Sequence, residues 1–123
     1  MKTDRHKPTG LVRLLNAFGN TRKGFVGAVR GEAAFRQELA LCVVLFPLGL
    51  WLGKNGVERA LLVGPIFIIL IVELLNSGIE ATIDRIGLEH HQLSGLAKDL
   101  CSAAVFTSFA MLAVVWVLVL LDR

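Results

Sequence analysis

Glu73, Ser77, Glu80 and Asp84 are spaced so that they could act together on a charged substrate, with Asn76 beside them. On a helix turning about 100° per residue these side chains fall on one face. The polar stripe continues without interruption from the apolar run Ala60 to Val72. A carboxylate inside or at the rim of a membrane segment is costly, which marks Glu73 as a working residue and not as decoration of a helix end. Glu73 and Glu80 are separated along the helix axis by roughly 10 Å at 1.5 Å per residue, so they can share a substrate more easily than a single metal ion. Acidic oxygens hold Mg²⁺, and Lys or Arg holds phosphates. The stripe, together with Glu32, Glu38, Lys98 and Asp99, therefore suits phosphoryl transfer, provided the chain brings these residues to one membrane face. The alternative for acids such as Glu38, Asp84 and Glu89 is simple ion pairing at helix ends.

The elements that must position these residues are helices in a bilayer. A chain of 123 residues is one domain's worth. Its 54% hydrophobic residues and mean hydropathy of +0.65 are too apolar for an ordinary soluble domain. The expected fold class is an all-α integral membrane protein: an N-terminal amphipathic surface helix at about 8–30, then membrane helices at about 32–53, 60–85 and 98–121, all in one membrane domain over 1–123. Leu11, Leu14, Leu15 and Phe18 follow the i, i+3, i+4, i+7 pattern of a helix lying in the interface. The same stripe could instead pack on the protein's own spans. Gly19, Gly24, Gly27 and Gly31 punctuate the connection to the first span. That span has an apolar run of only Leu39 to Gly53, so its helix must start near Glu32 to cross a hydrocarbon core about 30 Å thick. Lys54 to Arg59 form a short turn, Ile86 to Lys98 a polar connection, and Leu100 to Leu121 a third span.

Charge gives the orientation. Lys2, Arg5, Lys7, Arg13, Arg22, Lys23, Arg30 and Arg36 face only Asp4 and Glu32 over the same stretch, which keeps the N-terminus in the cytoplasm. Anionic lipid headgroups are the expected partner of this basic stretch, and nucleic acid is not, because no binding motif accompanies the charge. No central apolar block precedes a small-residue cleavage site, so no secretory signal is expected. Cys42 and Cys101 sit within or at the edge of apolar runs without metal or redox spacing and read as small buried hydrophobes.

Other candidates are weaker. Gly49-Leu-Trp-Leu-Gly53-Lys54-Asn55 lacks the spacing of a phosphate-binding loop and the hydroxyl residue that follows its lysine. Adjacent His90 and His91 point about 100° apart on a helix and chelate poorly, so they suit hydrogen bonding to a ligand or plain exposure. Trp51 and Trp116 suit anchoring or packing, and Ser102, Thr107 and Ser108 suit close approach between spans.

Three segments occur together in order: Glu32-Ala-Ala-Phe-Arg-Gln-Glu38, Glu73-Leu-Leu-Asn76-Ser-Gly-Ile-Glu80-Ala-Thr-Ile-Asp84-Arg85, and Leu93-Ser-Gly95-Leu-Ala-Lys98-Asp99. With them the chain resembles the bacterial membrane diacylglycerol kinase family from about Leu11 to Ser108. The resemblance implies a homotrimer of three-span subunits in the bacterial inner (cytoplasmic) membrane. It also implies conversion of diacylglycerol and MgATP to phosphatidic acid at the cytoplasmic face, in sites shared between subunits. It gives Glu73 the role of general base in direct in-line transfer, supported by Asn76, and gives Glu32 and Glu80 the Mg²⁺ that accompanies the nucleotide. Arg13, Asn20, Glu32, Glu80, Glu89, His90, His91, Lys98 and Asp99 then fall at nucleotide positions. Arg13, Ala34, Phe35, Glu38, Trp51, Arg59, Glu73 and Ser102 fall at lipid positions. Asn20 stands where better-known members carry an aromatic, and Arg22, Val26 and Gly31 also depart from the familiar pattern. A polyprenol kinase is the alternative within this class, and a small proton-coupled transporter is the alternative outside it.

Overall fold

The computed structural model describes residues 9–87 and 89–123. The basic residues Lys2, Arg5 and Lys7, with Asp4, lie outside the described residues. The described residues form four helices and no strand: α1 (Leu11–Gly31), α2 (Ala33–Leu52), α3 (Gly56–Ile86) and α4 (Gln92–Leu121). The last three are long and apolar enough to cross a membrane.

The apolar stripe of α1 is not covered by the other described residues, since Leu11, Leu14, Leu15 and Phe18 are all more than half exposed. Of the two readings of that stripe, packing on the protein's own spans is therefore the one the fold does not realise. The glycines do not break the helix either. Gly19, Gly24 and Gly27 lie inside α1, which runs on to Gly31. The turn comes at Glu32, whose extended backbone (φ −135°, ψ 119°) ends one helix and starts the next. Arg36 fixes this elbow by donating to Val29 O at 2.8 Å and reaching Arg30 O at 3.5 Å, which places a cation on the carbonyls at the end of α1.

Helix α3 is the centre of the bundle. It packs on both α2 and α4, whereas the backbones of α2 and α4 stay apart and meet only through side chains. Cys42, Ile66 and Ile69 form a small core with Leu45, Leu70, Phe109, Leu112 and Trp116 around it. Gly49 permits this closeness, because a side chain there would press on Leu62 and Trp116. Trp116 donates its indole N–H to Leu62 O at 2.9 Å, a bond between helices with no water competing for it in lipid. Both cysteines are buried and free.

At the α2–α3 turn, Asn55 caps α3 by accepting from the Glu58 N–H at 2.9 Å. Arg59 donates to Leu50 O at 3.0 Å, and Arg123 from the end of α4 bonds Leu52 O and pairs with Glu58. At the other end, α4 starts earlier than apolarity suggests. His91 caps it by accepting from the Leu93 N–H at 3.0 Å, so Gln92 to Lys98 are helical and the polar connection shrinks to the residues between Ile86 and Gln92. Hydropathy marks where a helix leaves the bilayer, whereas the cap marks where it ends. For the same reason α3, about 46 Å long at 1.5 Å per residue, outruns a hydrocarbon core of about 30 Å.

Candidate functional site

The end of the bundle opposite Arg123 gathers the C-terminus of α1, the N-termini of α2 and α4, and the last turns of α3. Its centre is Glu73, only 3% exposed although it carries a carboxyl group. Glu38 on α2 lines the same cavity, so a second carboxyl stands beside it. Glu38 Oε2 has no donor of its own among the described residues. Two carboxyl groups this close repel unless a proton or a cation lies between them, so the arrangement favours whatever supplies positive charge. One turn on, Ser77 donates to Glu32 Oε2 at 3.0 Å, and Glu80 lines the same groove as Glu32.

Around α3 these residues open into three cavities. The first, of about 490 Å³, lies between α2, α3 and α4 and joins Ala34, Glu38, Glu73, Asn76 and Ser102 to an apolar wall of Val105, Phe106 and Phe109. Polar on one side and greasy on the other, it suits an alcohol carrying hydrocarbon chains. The second, of about 420 Å³, runs between α1 and α3 and is lined by Lys23, Glu32, Ser77, Glu80 and Asp84 with glycines 24, 27, 31 and 78. The third, of about 230 Å³, lies at the α3–α4 turn, where Asp84, Glu89, His90, His91, Ser94 and Lys98 meet. Asp84 lines both of the last two, and Lys98 Nζ is 4.0 Å from it. The stripe that looks single on a helical wheel is thus divided. Glu73 and Asn76 face the apolar cavity, while Ser77, Glu80 and Asp84 face the α1 groove.

Glu32 and Glu80 suit Mg²⁺ as a donor pair. That ion takes one or two carboxylates and completes its shell with water and substrate phosphates. Among the described residues no group of three or more His, Cys, Asp or Glu side chains is placed to hold a metal ion by itself.

Of the residues expected at a lipid position, Ala34, Glu38, Glu73 and Ser102 come together. Phe35 is fully buried inside the chain. Trp51, 79% exposed, and Arg59 lie at the opposite end, about 20 Å from Glu38 along α2. Of the nucleotide positions, Glu32, Glu80, Glu89, His90, His91 and Lys98 line the two polar cavities, whereas Arg13, Asn20 and Asp99 are exposed and line none of the three. His91 already spends Nδ1 on its cap, so only Nε2 remains for a ligand. Two features escaped the sequence. The aromatic wall from α4 looked like any lipid-facing span. Lys23 was one basic residue among many, although its i, i+4, i+8 spacing with Gly27 and Gly31 places it on the groove face.

Residues 19–120 match a family model described as prokaryotic diacylglycerol kinase. The chain is 52% identical over 113 residues to a Pseudomonas aeruginosa protein named diacylglycerol kinase, covering 92% of each chain. It is 42% identical over 112 residues to the Escherichia coli protein of that name, covering 91% of this chain and 92% of that one. A Helicobacter pylori protein with the same name is 36% identical over 110 residues, covering 89% and 86%.

Proposed function

The chain belongs to the prokaryotic diacylglycerol kinase family, and from that premise we propose that it transfers the γ-phosphoryl group of MgATP to the hydroxyl of diacylglycerol, giving phosphatidic acid. The observation that carries the reading is Glu73: a buried carboxyl lining a half-apolar cavity, one helical turn before Ser77 and two before Glu80, which line an acidic, lysine-flanked groove on another side of α3.

The lipid lies along Val105, Phe106 and Phe109 with its primary hydroxyl at Glu73, and the Asn76 amide orients that hydroxyl. Glu73 takes the hydroxyl proton as the oxygen attacks the γ-phosphorus in line. The bond to the β-phosphate oxygen breaks, ADP leaves, and Lys98 offsets the charge that develops on the transferred group. Glu32 and Glu80 would hold the Mg²⁺ that comes with the nucleotide, and the ion would supply charge neutralisation on the phosphates. Positioning and electrostatics do most of the work in such a transfer. The site faces the cytoplasm, where ATP is present, in keeping with the basic N-terminal stretch.

The working unit is a homotrimer with sites shared between subunits, as in the family resemblance. In one chain Glu73 and Glu80 open to different sides of α3, which supports the completion of each site by a neighbouring copy. The test is purified protein with Mg²⁺, ATP and, side by side, a short-chain diacylglycerol and undecaprenol. Labelled phosphate on diacylglycerol is the expected result. Label on undecaprenol alone would reassign the substrate, and label on neither would overturn the kinase reading.

A further inference from the structure

Lys23 has no part in the transfer described above, yet among the described residues it is the one cation lining the groove between α1 and α3, opposite Glu32, Glu80 and Asp84. It is exposed and forms an ion pair with none of the described residues. The wall on either side of it is glycine: a side-chain carbon built at Gly24, Gly27, Gly31 or Gly78 would meet nothing within 4 Å. The groove is therefore open at backbone level, and it offers a diffusing anion few donors, since the amides of helix interiors are already spent on i−4 carbonyls. An anion drawn into a groove with three carboxylates needs positive charge from the protein as well as from any ion it brings. The other lysine, Lys98, sits beyond Asp84 and shares its charge with that carboxylate at 4.0 Å.

We infer that Lys23 binds the phosphates of the nucleotide that are not transferred, while Lys98 serves the one that is. This rests on the kinase reading and adds a binding residue to it. Lys23 and Lys98 flank Asp84 from opposite cavities, so a triphosphate laid past Asp84 meets a cation on each side. A hydrogen bond from an ammonium to a phosphate oxygen is charge-assisted and directional enough to be felt in affinity.

The test compares wild type, Lys23→Met and Lys23→Arg in the same lipid kinase assay. Lys23→Met should raise KM for MgATP and the inhibition constant of ADP together by ~10-fold, the loss expected for one hydrogen bond between charged groups. kcat and KM for diacylglycerol should stay within about twofold, and Lys23→Arg should recover most of the loss. A rise in KM for ATP without a parallel change for ADP would move the contact to the transferred phosphate and overturn the assignment. A rise in the lipid KM alone would make Lys23 a headgroup contact and overturn it equally. No change in any constant would leave Lys23 a solvated surface residue, with the kinase reading intact because the wild type reports on that separately.

Discussion

The two ends of this helical bundle are built on opposite rules. At the Arg123 end polar side chains are spent on contacts within the chain: Asn55 caps α3, Arg59 covers Leu50 O, and Arg123 joins Leu52 O to Glu58. At the Glu73 end acids crowd against acids, Glu38 Oε2 is left without a donor, and the lysines lie at the margins. The first end is complete as folded. The second is complete only when something cationic or phosphorylated enters it. Side-chain pairing within the chain is thus concentrated at the Arg123 end, and the proposed catalytic end is left poorly satisfied.

Breaking the unsatisfied end at its centre should have the largest effect. Glu73→Gln keeps the shape but cannot take a proton, so turnover should fall by about 10²–10⁴-fold while nucleotide binding persists. Near-normal kinase activity in that variant would remove Glu73 as the base. Gly53 probes the satisfied end. A side-chain carbon there would overlap Arg59 Cγ and stand 2.9 Å from the Arg59 backbone nitrogen. Gly53→Ala should therefore cost about 1–3 kcal/mol, read as a lower thermal midpoint in detergent, with kcat little changed at permissive temperature. Glu38→Gln sharpens the contrast in the opposite sense. It replaces a repelling carboxylate by an amide that can donate to Glu73, so stability should rise by about 1 kcal/mol while activity falls, the exchange expected when a functional site is relaxed. A variant that lost stability as well would show that the two acids support each other. Smallest is Asp84→Asn, which frees the exposed Lys98 from its weak pair. Thermal stability should not move measurably, and kcat should change by about threefold or less.

Much of the architecture was legible because it depends on local composition. Leu100 to Leu121 could only be a span, α3 had to protrude because its polar stripe follows an apolar run without a break, and the stripe of α1 marked an amphipathic helix while leaving open what covers its apolar face. The start of α4 was misjudged because hydropathy falls at Lys98 while the cap lies at His91. The glycines of α1 read as breaks, whereas they form the wall of a groove. Whether a glycine interrupts a helix or clears space beside one depends on what faces it.

The residue order alone determined that the chain must live in a bilayer, that Glu73 is expensive where it stands, and that Glu32, Glu38, Glu80 and Lys98 lie at one end of their helices. All of these follow from hydrophobicity and the 1.5 Å rise of the helix. Only the tertiary structure decided that Glu73 opens to an apolar cavity and Glu80 to the α1 groove, that Ser77 serves Glu32, and that Arg123 closes the far end. The last two contacts join residues 45 and 71 positions apart. Periodicity fixes the face a side chain occupies on its own helix. Which neighbour covers that face depends on how the helices pack, and local sequence does not carry that information.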